Sequence, residues 1–111
     1  MNVVDLTGEY FDAFSNRDLA SLKNMFEDDI MLRDWELSTC GKNETIEAID
    51  KIFKSVDSIC ILPKLILSDI LQTLTISEIE IVVDNSDKLL VVDVIEYSSD
   101  SKIKSIRAYK R

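Results

Sequence analysis

The sequence predicts an α+β domain in which amphipathic helices from the N-terminal part fold over a curved antiparallel sheet able to enclose a small-molecule pocket. Three observations lead there. Apolar residues recur at three- and four-residue spacing in three segments before Ser58, and β-branched content rises from Ser58 onward. The strand-like segments that follow are separated by short Asp/Asn/Ser turns, which make sequential strands antiparallel. Helices stacked on one face of such a sheet bury both apolar surfaces at once. A chain of 111 residues is the size of one core, so residues 1–111 are expected to form a single domain.

The first helix is predicted over residues 3–15, where Val3, Leu6, Tyr10, Phe11 and Phe14 share a face. Asn16 or Asp18 then suits the cap of a shorter helix carrying Leu19, Leu22, Met25 and Phe26. Glu27–Asp28–Asp29 reads as a charged turn into a strand from Ile30 to Trp35, on which Ile30, Leu32 and Asp34 point one way. Gly41 closes a loop, and Asn43 is the expected cap of a third helix with Ile46, Ile49, Ile52, Phe53 and Val56 along its stripe. Glu44 and Glu47 near its start and Lys51 and Lys54 near its end complement the helix dipole. Strands are predicted at 58–67, 72–84, 88–97 and 102–110. The apolar phase slips between Ile76 and Ile79, so a bulge is expected near Ser77–Glu78. Pro63 cannot donate to a ladder and belongs at an edge or kink.

Composition narrows the function. Apolar residues at 46% and charged residues at 31% are incompatible with disorder. The longest apolar runs, Ile59–Leu62 and Leu89–Val92, are far shorter than the roughly 20 residues of a membrane-spanning helix. The acidic stretch Met1–Tyr10 lacks the pattern of a secretory signal, which predicts a cytoplasmic protein. A net charge of −8 repels the phosphate backbone, so no nucleic-acid partner is expected; the basic residues Lys102 to Arg111 read as a solvated strand face. Cys40 and Cys60 have no metal-binding or CxxC spacing and are expected to be reduced packing residues. The chain has no histidine, which excludes Ser-His-Asp and Cys-His catalysis and imidazole metal sites. Acid–base chemistry is left to carboxylates, tyrosine and lysine.

Three ionisable residues fall on inward-reading positions: Tyr10 on the first helix stripe, Asp34 beside Ile30 and Leu32, and Asp93 beside Val91 and Ile95. Each has a plainer reading. Tyr10 fits a core tyrosine with its hydroxyl at the rim, and Asp34 fits the exposed end of a strand. For Asp93 the alternation does not choose a face, because Leu90, Val92 and Val94 are apolar as well. Glu78 is a further acid that reads as exposed unless the phase slip turns it inward, and Arg33 or Arg107 could pair with a buried carboxylate. Trp35 is out of phase with Asp34 and is expected on the outer sheet face or at a dimer contact.

The segments Glu9–Leu19, Phe26–Asp29, Gly41 before the third helix, and Lys102–Ala108 resemble the ketosteroid isomerase-like and SnoaL-like branch of the nuclear transport factor 2-like superfamily. The resemblance covers nearly the whole chain and implies a cone-shaped fold with three helices on the curved sheet. It further implies Tyr10 as a donor to an oxyanion, Asp34 as a general base, and Asp93 as a protonated second donor. No cofactor and no metal are implied. The implied partners are a small apolar or carbonyl-containing ligand and a second copy of the chain, paired through the open sheet face. The superfamily also holds epoxide hydrolases with an Asp-Arg-Asp arrangement, and proteins without catalysis, so fold does not decide activity. Trp35 stands where the isomerases usually have proline, and the loop from Glu36 to Cys40 is shorter than theirs.

Overall fold

The computed structural model describes residues 2–111. Helix α1 (Val3–Ser15) begins where the Asn2 side chain accepts a hydrogen bond from the Val4 amide at 2.7 Å, and its stripe buries Val3, Thr7, Tyr10, Phe11 and Ala13. It ends at Asn16, and Arg17 takes a left-handed φ of 54° to turn the chain. Of the two candidate caps for α2 (Leu19–Met25), Asp18 is the one used: its carboxylate accepts from the Ser21 amide at 3.1 Å and the Ser21 hydroxyl at 2.6 Å. Helix α3 (Lys42–Ser55) starts from Gly41 rather than Asn43. Gly41 sits at φ 96°, ψ 151°, a conformation essentially confined to glycine. Asn43 therefore lies inside the first turn.

Six strands form one curved, unclosed sheet in the order β2-β1-β6-β5-β4-β3, comprising β1 (Phe26–Arg33), β2 (Ser38–Cys40), β3 (Ile59–Ser68), β4 (Leu74–Val83), β5 (Asp87–Tyr97) and β6 (Ile103–Lys110). Phe26 opens β1 instead of closing α2, and Glu27–Asp29 are extended rather than a turn. Every neighbouring pair is antiparallel except β1 and β6, which run parallel. No short turn joins those two strands. The chain leaves the sheet after β2, crosses by α3 to the far edge at β3, and returns by three hairpins until β6 meets β1. Pro63 is on β3, one of the two edge strands.

The predicted bulge lies on the neighbouring strand. Strand β4 pairs with β5 without interruption through Ser77 and Glu78, and its odd positions Thr75, Ser77 and Ile79 are all buried. Pro63 pairs with Ile79 and Leu65 with Glu78, so Lys64 on β3 is the extra residue. The apolar phase in β4 slips because Thr75 and Ser77 occupy buried positions while Ile76 is left 46% exposed on the outer face. Cys40 and Cys60 are exposed rather than packed, since both fall in the outward phase of their strands. The core joins Phe11, Leu22, Phe26, Ile30, Ile49 and Phe53 to Ile95, Ile103 and Ile106 on the inner sheet face.

Candidate active site

Between the helices and the inner sheet face lies a cavity of about 330 Å³. Its wall is mainly aliphatic, with Phe14, Ile49 and Ile52 from the helices and Ile79, Val91 and Ile106 from the strands. Tyr10, Asp34 and Asp93 all line it.

Tyr10 is brought there by the α1 stripe, and its ring is held by Phe11, Phe14 and Phe26 at centroid distances of 5.6, 6.1 and 6.3 Å. Asp93 comes from the middle of β5, opposite Ser77 on β4 and Ala108 on β6. It is buried at 6% exposure, on the same face as Val91 and Ile95. Neither the Tyr10 hydroxyl nor the Asp93 carboxyl has a hydrogen-bond partner among the described residues, so both polar ends are free for a ligand. Arg107 is turned away from them and pairs with Glu96 at 3.0 Å. Glu78 is exposed on the outer face.

Asp34 lies just beyond the end of β1, in a turn closed by its amide on the Leu37 carbonyl at 2.9 Å. Its Oδ1 accepts from the amides of Glu36 at 2.7 Å and Leu37 at 2.6 Å. Those bonds orient the carboxylate and leave Oδ2 without a partner among the described residues. The same turn ends the strand alternation, which moves Trp35 from its expected outer position to the cavity rim beside Glu36 and Leu37. The Lys110 ammonium sits over the indole, 5.4 Å from the ring centroid.

Burial favours the protonated forms of Asp93 and Tyr10. Burial, reinforced by the nearby Asp34 carboxylate, pushes Asp93 up to about 7. Burial, then the charges of Asp93, Tyr97 and Asp34, raise the Tyr10 phenol well above its ordinary value, so its hydroxyl keeps its proton. No lysine or arginine lines the cavity. Among the described residues there is no cluster of three metal-ligating side chains.

Strand phase did not point to three further groups. Trp35 and Leu37 needed the Asp34 turn, whose only sequence signal is an aspartate at a strand end. Ser77 is fully buried next to Asp93, with a hydroxyl that finds no partner. Nearby, the buried hydroxyls of Thr7, Thr75 and Tyr97 satisfy one another at 2.8 and 2.7 Å.

No protein-family model matches the sequence, and no curated protein is significantly similar to it. Solved structures are similar in fold. An epoxide hydrolase from M. tuberculosis, described as LEH-like, superposes with a TM-score of 0.83 at 16% identity, covering 97% of this chain and 81% of that one. A ketosteroid isomerase candidate from Kribbella flavida matches with a TM-score of 0.83 at 13% identity, over 96% and 76% of the two chains. An NTF2-like protein of unknown function from Cytophaga hutchinsonii matches with a TM-score of 0.80 at 10% identity, over 96% and 88%. The fold is NTF2-like, shared with SnoaL-like, ketosteroid isomerase-like and epoxide hydrolase-like proteins. No helix among the described residues is long and apolar enough to cross a membrane.

Proposed function

We propose that the chain is a small-molecule enzyme that moves a proton next to a carbonyl group, with Asp34 as the base and Tyr10 and Asp93 as donors to the developing oxyanion. The observation that carries this reading is one aliphatic cavity lined by two unpartnered polar groups and by a carboxylate held in its own turn. A donor must be protonated, and burial pushes Asp93 up to about 7, toward the form that donates. Two neutral donors on one oxygen in a low-dielectric cavity stabilise an enolate far better than water does. The cavity volume lies at the low end of the range for organic ligands, about 300–1,000 Å³, so the substrate is compact. A rim of Asp34 and Glu36 with no cation in the wall disfavours an anionic substrate. It also sets this site apart from an Asp-Arg-Asp hydrolase, because Arg33 and Arg107 both lie outside the cavity.

Phenol tests the donors, since it ionises near pH 10, about where tyrosine does, and offers one acceptor oxygen. Asp93 donates only while protonated, and that form is present below pH 7 and lost as the pH rises through about 7. Phenol affinity is therefore expected to be constant in mild acid and to fall by up to about tenfold per unit above neutrality. Asp93→Asn, which donates at every pH, flattens the profile. Affinity that ignores pH in the unsubstituted protein would sink the donor assignment and favour a non-catalytic ligand-binding module.

The outer sheet face leaves Leu62, Leu65, Leu67, Ile76 and Leu90 each more than 40% exposed, an apolar surface larger than isolated side chains account for. A homodimer through this face covers it. Sedimentation equilibrium at micromolar concentration is expected to give a dimer, and a monomer there rules the assembly out.

A further inference from the structure

A hydroxyl group with no partner, fully enclosed in protein, costs about 1–3 kcal/mol and calls for an explanation. Ser77 Oγ is such a group: the residue is 0% exposed, and its oxygen has no hydrogen-bond partner. An alanine would fill the same position on β4 without that cost. The register places Ser77 directly opposite Asp93. Both side chains project from the inner face, and both are buried. Directly opposed residues on antiparallel strands hold their Cβ atoms about 4.5–5.5 Å apart, close enough for a hydroxyl and a carboxyl to meet by rotation about their Cα–Cβ bonds.

We infer that Ser77 is a positioning residue for Asp93, its hydroxyl donating to one carboxyl oxygen so that the acid proton resides on the other and is directed into the cavity. The inference rests on the proposed role of Asp93. A carboxylic acid has two oxygens and a single proton, and an oxygen that already accepts a hydrogen bond is the poorer place for that proton. Ser77 thereby selects which oxygen donates to the ligand. It also bonds more strongly to the ionised carboxyl than to the neutral one, which limits how far burial raises Asp93. The other ionisable groups near Asp93 are Tyr10 from α1 and Asp34 from the turn after β1, with Glu36 on the wall of the same cavity, while Tyr97 further along β5 is bonded to Thr7. Across from Asp93, β6 presents only Ala108. None of these groups can donate to Asp93 without giving up the role or the position already described for it, apart from Ser77.

The test is a carbon-13 NMR titration of the aspartate carboxyls in the unsubstituted protein, Ser77→Ala and Ser77→Thr, with Asp93→Asn identifying the Asp93 resonance. Ser77→Ala is expected to move the Asp93 midpoint up by about one pH unit, and Ser77→Thr, which keeps the hydroxyl, to leave it near its original value. Urea unfolding of Ser77→Ala and Ser77→Thr checks that each variant is folded, so that a moved midpoint reports the hydroxyl and not a loosened core. A midpoint in Ser77→Ala equal to that of the unsubstituted protein overturns the inference, as does an equal upward move in Ser77→Thr. Either result leaves the donor assignment to be judged by phenol binding alone. A midpoint in the ordinary carboxylate range in all three proteins overturns the Ser77 role and the protonated-donor role together.

Discussion

Replacing Asp34 by asparagine is expected to slow proton exchange next to the carbonyl of compact cyclic ketones by about a hundred- to ten-thousand-fold, the usual contribution of a general base. The substitution is unusually clean. An asparagine side chain at this position would retain an Oδ1 acceptor for the amides of Glu36 and Leu37, so the turn that positions it survives. What changes is Oδ2, the atom with no protein partner, which becomes an amide nitrogen that cannot accept a proton. Solvent deuterium incorporation followed by proton NMR reads the effect directly. A loss below tenfold, with the fold intact, removes Asp34 from the chemistry and leaves a pocket that binds without turning over.

Phe26→Ala is expected to cost about 3–5 kcal/mol of folding stability, a large share of the roughly 5–15 kcal/mol available to a domain of this size. Phe26 is 0% exposed at the junction of α2 and β1, and its ring lies 6.3 Å from that of Tyr10. Truncation opens a cavity where helix, strand and site wall meet, and α2 and β1 cannot both close on it. Ile70→Ala, by contrast, alters a residue 96% exposed at the β3–β4 turn and is expected to stay within about 0.5 kcal/mol. Urea unfolding of both variants checks the pair. A Phe26→Ala penalty below about 1 kcal/mol contradicts the burial of this ring at the junction of α2 and β1.

The helices were legible because a long amphipathic segment repeats its signal over several turns. The stripe of Tyr10, Phe11 and Phe14 and that of Ile49, Ile52 and Phe53 each placed residues on a correct buried or cavity-lining face. The helix ends were less legible. Gly41 caps α3 through a backbone conformation that only glycine adopts readily, whereas Asn43 merely has the side chain of a capping residue. Short β2 was missed because three residues carry no periodicity of their own, and its pairing with Met31 to Arg33 exists only in three dimensions. Strand β5 shows the same division. With apolar residues on both faces, alternation could not tell which side Asp93 takes, and the choice is made by the helices that cover one face while the other stays open.

From the sequence alone followed the α+β class, the order of helices and main strands, the lack of histidine, and three ionisable residues that prove to line one cavity. Periodicity and composition are local properties, and they survive without knowledge of distant partners. Only the tertiary structure decided that β1 meets β6 in parallel, that the bulge belongs to Lys64, that Trp35 turns to the cavity rim, and that Ser77 lies against Asp93. Each of those depends on strand register or on a turn closed by hydrogen bonds between residues whose proximity no local pattern records, and a shift of one residue sends a side chain to the opposite face.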